Sequence, residues 1–179
     1  MEIGSDGINE VGLVEAAQNG CLDSFGALYQ RYHNPIVALA YAQLGDKHAA
    51  EDAAHEAFAV ACRDLGALRD KAKFGAWLGG ICRNVTRQMI RTRNRPIPAP
   101  DQPLNNGRPE DRERWEAVRE AVWKLEPPER ELIVMRYFNG FSQARISEVL
   151  DITPAAVNGR LVRAKHKIAE QLKRDGFGS

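Results

Sequence analysis

The chain has 179 residues, enough for one ordinary domain or two small ones, and 44% apolar content is sufficient to build a core. A formal net charge of +1 means that a polyanionic partner can be argued only from where the charges sit. No apolar run approaches a membrane span, and the N-terminal MEIGSDGINE lacks the basic-then-apolar pattern of a signal peptide. A cytoplasmic protein without membrane insertion is the expectation. The cysteines (Cys21, Cys62, Cys82) form no CxxC pair, and with His33, His48, His55 and His166 they show no zinc spacing. Separate reduced thiols are expected, with no metal and no cofactor.

Helical periodicity dominates, and no alternating strand pattern appears. Residues 11 to about 93 form one helical block. Within it, Asn34-Pro35 and Leu44-Gly45-Asp46 are expected to interrupt helices, and Asp46 to cap a helix running to about residue 64. LGALRDKAK (65–73) reads as a loop, followed by a helix from about 74 to 92. The stretch NRPIPAPDQPLNNGRPED (94–111) has five prolines and few apolar residues, a composition that favours extended backbone and cannot order itself by burial. A second helical block runs from about 112 to 175. Glu126-Pro127-Pro128-Glu129 breaks it, Asn139-Gly140 ends the next helix, and Ser142 can cap the one after. The expected fold is all-α, with two small helical domains, 1–95 and 112–179, joined by a proline-rich linker, 96–111.

The second block contains GFSQARISEVLDITPAAVNGRLVRAKHKI (140–168), two helices around a corner, the pattern of a helix-turn-helix. Ile146, Val149 and Leu150 give the first helix an apolar face, and Ser147 is small where the two helices approach. Asp151 stands at the corner, where a left-handed backbone is needed and aspartate tolerates it better than most residues. Thr153 can cap the second helix, with Pro154 in its first turn. On a wheel of about 100° per residue, Val157, Leu161, Ala164, Ile168 and Leu172 share one face. Arg160, Arg163, Lys167 and Arg174 fall in a sector roughly 60° wide beside it. The leading turn carries Ala155, Ala156, Asn158 and Gly159, small or polar residues that let a helix end approach base edges. A solvated amphipathic helix would also carry a basic ridge. Capping, a small leading end and the ridge together favour DNA.

The first block carries two unlike surfaces. LGDKHAAEDAAHEAFAVACRDL (44–65) is a helix with Glu51, Asp52 and Glu56 near Phe58. FGAWLGGICRNVTRQMIRTRNR (74–95) puts Phe74, Trp77, Leu78, Ile81, Val85 and Met89 on one face and Arg83, Arg87 and Arg91 opposite, with Asn84 at the border. The acidic helix disfavours DNA and the arginine stripe favours it, which suggests two partners, a basic protein and a nucleic acid.

LVEAAQNGCLDSFGALYQRY, AEDAAHEAF, FGAWLGGICRNV and LEPPERELIVMRYFNGFSQARISEVLDITPAAVNGRLVRAKHKI resemble, in that order, the two regions of bacterial RNA polymerase sigma factors of the small extracytoplasmic-function (ECF) branch. The resemblance covers about residues 11–95 and 112–172. It implies a non-enzymatic factor that binds core RNA polymerase and directs it to promoter DNA, reading the −10 element as melted single strand and the −35 element as duplex. Glu51, Asp52, His55, Glu56 and Phe58 would then dock on the coiled-coil clamp of the largest polymerase subunit. Residues 65–73, with Leu68, Arg69, Lys71 and Lys73, would receive a base flipped from the −10 non-template strand. Asn84 would line that pocket, Arg83, Arg87 and Arg91 would hold the backbone, and Phe74 and Trp77 match aromatics usually found in the pocket, although core packing is the expectation for both. Thr153, Ala155, Ala156, Asn158, Gly159, Arg160, Arg163 and Lys167 would read −35, while the second domain docks on the polymerase flap and the linker threads toward the RNA exit path. An anti-sigma factor is implied as a further partner.

The chain also departs from the family pattern. His55 replaces a common glutamine, Gln143-Ala144-Arg145 replaces an aromatic-acidic run, and Asn158-Gly159 replaces a cation and a serine. Two other classes remain to be weighed. A helix-turn-helix regulator with a ligand or dimerisation domain would have no need of an acidic helix followed by an arginine-faced one. An enzyme would need a nucleophile-base pair, phosphate loop or metal cluster, and none is present in the sequence.

Overall fold

The computed structural model describes residues 10–93 and 109–177, which are helical, with no strand among them. Four helices form the first bundle: α1 (Glu10–Gln18), α2 (Leu22–Leu44), α3 (Lys47–Asp64) and α4 (Phe74–Arg93). Four more form the second: α5 (Pro109–Trp123), α6 (Pro127–Ile133), α7 (Gln143–Leu150) and α8 (Pro154–Arg174). The expected linker 96–111 lies outside the described residues except for its last three, which belong to α5.

Local chemistry accounts for most boundaries. Gly45 ends α2 at φ 67°, a left-handed turn that costs glycine little, and its N–H donates to Tyr41 O at 2.8 Å. Asp46 then caps α3, its Oδ1 accepting from Ala49 N at 2.8 Å. The buried face of α3 is almost entirely alanine (Ala49, Ala50, Ala53, Ala54, Ala57 and Ala61, with Phe58), so α2 and α4 approach it closely.

The sequence predicts a helix break at Asn34-Pro35. Instead α2 runs through it, with Pro35 buried inside the helix. Proline cannot donate to the carbonyl four residues back and therefore orphans Arg31 O. That carbonyl accepts from the Arg145 guanidinium of α7, 114 residues away, so a long-range contact repairs the local defect. The stretch 65–73 is more ordered than a plain loop. It forms two 3-10 turns, Leu65–Ala67 and Lys71–Lys73, and Asp70 caps the second.

In the second bundle α6 continues without a gap into a π-helical turn, Val134–Phe138, and stops before Gly140 at φ 72°. Ser142 Oγ accepts from Arg145 N at 3.1 Å to start α7. Asp151 takes the corner at φ 54°, ψ 46°, and Thr153 Oγ1 accepts from Ala156 N at 3.2 Å to start α8. Ile146, Val149, Val157, Leu161 and Ala164 are buried between the helices, as the wheel requires.

The two bundles touch. α7 lies on α4, and α6 with its π turn lies on α2. Their buried apolar residues form one continuous cluster, from Val14 in α1 to Ala164 in α8.

Candidate nucleic-acid and partner interfaces

The acidic face of α3 is open. Asp52, His55 and Glu56 are exposed and Glu51 is half-buried. Glu51 and Asp52 form no ion pair among the described residues. Glu56 is close enough to Arg63 to help hold that guanidinium protonated, although Asp64 does most of this through its hydrogen bond. Phe58 was expected on this surface but is a core residue, 3% exposed, packed against the Tyr29 ring at 4.6 Å between centroids. Its spacing from the acidic residues carries the side chain to the inner face of α3, where it supports the surface from beneath. His33 sits between, with its ring 5.7 Å from His55 and 6.5 Å from Phe58.

Helix α1 holds the 65–73 segment in place. Gln18 Nε2 donates to Leu65 O at 3.0 Å and Leu68 O at 2.9 Å, and Lys71 Nζ donates to Glu15 at 2.8 Å. The Leu68 side chain is buried at 7% exposure, so its burial anchors the segment, and Arg69, Lys71 and Lys73 are the side chains that reach outward. Phe74 is fully buried and Trp77 packs against the core, as expected.

On α4, Arg87 and Arg91 are exposed, and Arg87 donates to Asn84 Oδ1 at 3.3 Å. Arg83 is engaged elsewhere. Its Nε and Nη2 donate to the two carboxylate oxygens of Glu131 in α6, at 3.1 and 2.9 Å. Burial opposes the charge on Arg83, but the Glu131 hydrogen bonds and charge outweigh it and raise its pKa above the usual arginine value. Glu131 is 3% exposed and also accepts from Gln43 Nε2 at 2.5 Å. Sequence pattern marked Arg83 as a phosphate ligand and gave no signal of this partner.

On α8 the cationic ridge is exposed at Arg163 and Lys167 and half-buried at Arg160, and Lys167 pairs with Glu129 at 2.7 Å. Ala155 and Asn158 are exposed, and Ala156 and Gly159 partly so. Asn158 Oδ1 accepts from Gln143 Nε2 at 3.4 Å. The second bundle also bears an apolar groove of about 370 Å³ that includes Trp115, Val122, Tyr137 and Ile168, with Trp115 and Tyr137 half exposed.

The family models for sigma-70 region 2 and sigma-70 region 4 match residues 28–96 and 115–168, which fall on most of the first and second bundles respectively, with α1 and the start of α2 outside the match. The chain belongs to the sigma-70 family of RNA polymerase sigma factors. Within that family it is an ECF-type sigma factor, a DNA-binding protein of transcription initiation. It is 29% identical to the ECF sigma factor BldN of Streptomyces coelicolor over 96% of this chain and 69% of that one. It is 28% identical to the ECF sigma factor SigW of Bacillus subtilis, over 89% and 95% of the respective chains. Among solved structures, CnrH in complex with the cytosolic domain of CnrY matches with a TM-score of 0.62 and 26% identity, covering 93% of this chain and 98% of that one.

Proposed function

We propose that this sigma factor binds core RNA polymerase through the acidic face of α3 and places two DNA-reading surfaces on a promoter. The observation that carries the reading is the pairing, within one four-helix bundle, of an open acidic face (Asp52, His55, Glu56) with an arginine stripe (Arg87, Arg91, and Arg83 when released). The acidic face suits a basic protein surface, and the stripe suits phosphate.

In this mechanism no covalent chemistry belongs to the chain. Region 4 inserts the leading turn of α8 into the −35 major groove, with Asn158 and the small residues Ala155, Ala156 and Gly159 at the base edges. Arg160, Arg163 and Lys167 neutralise phosphates beside them. Region 2 captures unstacked −10 bases between the 65–73 segment and Asn84. Extruding a base costs a few kcal/mol, which pocket contacts and phosphate neutralisation by Arg69, Lys73, Arg87 and Arg91 offset. The apolar groove beside Trp115 and Tyr137 is the surface of region 4 suited to the polymerase flap. An anti-sigma factor is a further proposed partner, supported by the likeness to CnrH, which was solved in complex with the cytosolic domain of CnrY.

The test is capture of core polymerase by the purified chain. Glu56→Lys reverses a charge at the centre of the acidic face and is expected to weaken capture at least tenfold while the helix-turn-helix stays folded by circular dichroism. Undiminished capture would remove α3 from the interface.

A further inference from the structure

The two helices of the helix-turn-helix pack through Ile146 and Val149 of α7 and Val157 and Leu161 of α8, all buried. That packing, with the caps at Ser142 and Thr153, sets where the first residues of each helix stand. Gln143 opens α7, and Asn158 lies one turn into α8. Their side chains meet across the corner, where Gln143 Nε2 donates to Asn158 Oδ1 at 3.4 Å. Gln143 is half-buried and Asn158 is exposed, so the bond ties an open amide to a more enclosed one. Asn158 is also the one polar side chain among Ala155, Ala156, Asn158 and Gly159. Thr153, just before that turn, is occupied as the cap of α8. A side-chain hydrogen bond from the leading turn to a base edge must therefore use the Asn158 amide.

An asparagine amide carries an acceptor, Oδ1, and a donor, Nδ2. Adenine shows N7 as acceptor beside N6 as donor in the major groove, and a bidentate contact uses both ends of the amide. Guanine shows two acceptors, N7 and O6, and asks only for donors. With Oδ1 taken by Gln143, the nitrogen is the end left for the groove. Set against adenine, it would bring N–H onto N6–H, donor on donor, and leave a polar group unpaired.

We infer that Gln143 is a positioning residue for base choice. It holds Asn158 Oδ1 so that Nδ2 faces the groove, and region 4 takes guanine in preference to adenine where Asn158 meets a base. This rests on the reading of the leading turn of α8 as the −35 surface given above. Gln143 acts through its donor and need not touch DNA. Gln143→Ala removes that donor and frees both ends of the Asn158 amide. Gln143→Glu keeps the shape but offers only acceptors, so Asn158 donates Nδ2 to the carboxylate and turns Oδ1 to the groove, where adenine N6 can donate to it. An acidic side chain suits the first turn of a helix, so α7 is kept.

The full chain, wild type, Gln143→Ala, Gln143→Glu and Asn158→Ala, is assembled with bacterial core polymerase and offered a duplex promoter library randomised across −35, and the bound DNA is sequenced. The base that Asn158 meets is the one whose preference disappears in Asn158→Ala. There the wild type is expected to favour guanine over adenine about tenfold. Gln143→Ala is expected to bring the two within about threefold, and Gln143→Glu to reverse their order. Each result is a ratio between bases in one library, so a uniform loss of affinity from the added carboxylate cancels. Adenine favoured by the wild type at this position, or a guanine preference left intact in both Gln143 variants, overturns the positioning and leaves Asn158 a base reader. A library in which no position responds to Asn158→Ala overturns the reading of the leading turn as a base-reading surface, and the inference with it.

Discussion

The corner residue Asp151 offers a clean test of how backbone conformation sets the stability of the helix-turn-helix. Its φ of 54° and ψ of 46° put a non-glycine residue in the left-handed region, the single such case among the described residues. Its side chain is 58% exposed and pairs with Lys73, so packing contributes little there. Comparing Asp151→Gly, Asp151→Asn and Asp151→Ala removes the Lys73 pair in all three and leaves the backbone term. A β-carbon in this region costs about 1–2 kcal/mol, less for asparagine, whose short amide bonds locally. Alanine is therefore expected about 1 kcal/mol below asparagine, with glycine at or above asparagine. With a urea m-value of about 2 kcal/mol/M, the alanine midpoint falls by roughly 0.5 M relative to asparagine. Urea titration followed by far-UV circular dichroism reads this directly. Coincident alanine and glycine midpoints would refute the argument, because they would mean that the corner stores no strain.

Other residues give independent predictions. Thr153→Ala removes the Ala156 N acceptor at the start of α8 and is expected to cost about 1 kcal/mol in the same titration, while Thr153→Ser is expected to restore it. Cys82 is fully buried, and burial pushes its thiol well above the ordinary cysteine range, up to about 12, whereas Cys21 and Cys62 are exposed. At pH 8 a thiol reagent should titrate two groups quickly and the third only on unfolding. Between pH 9 and 12 the unfolded chain loses a proton that the folded chain keeps, so stability falls as pH rises, and Cys82→Ala should make that alkaline limb shallower. Arg163→Ala in the polymerase complex should lower the slope of log affinity against log salt by about 0.9 on a −35 duplex, and an unchanged slope would take Arg163 off the phosphate backbone.

Much of the architecture was legible because it is set locally. Asp46, Ser142 and Thr153 are caps defined by residue type and position, and the turn at Asp151 follows from the polar corner between two apolar helical faces. The burial of Val157, Leu161 and Ala164 followed from a 3.6-residue period. What the pattern missed depends on residues far apart in the chain. Pro35 reads as a break, yet α2 continues through it, and Arg145, 110 positions later, donates to the carbonyl that the proline leaves without a helical donor. The periodicity gives Gly79 no role, and in the structure a Cβ there would stand 2.7 Å from Val149 O of α7. Arg83 has the same spacing as Arg87 and Arg91, yet it alone of the three faces a buried carboxylate. Leu68 and Phe58 followed family position onto functional surfaces, and their apolar side chains went to the core beneath them.

The most direct measurement is core-dependent initiation. The purified chain is mixed with bacterial core polymerase and a library of promoter-length duplexes, and the run-off transcripts are sequenced. The proposed sigma-factor mechanism predicts transcripts that begin at fixed distances from a shared −10 and −35 pair, that need both the chain and core, and that are lost with Glu56→Lys. Tight sequence-specific DNA binding by the chain alone, with no initiation when core is added, would contradict it.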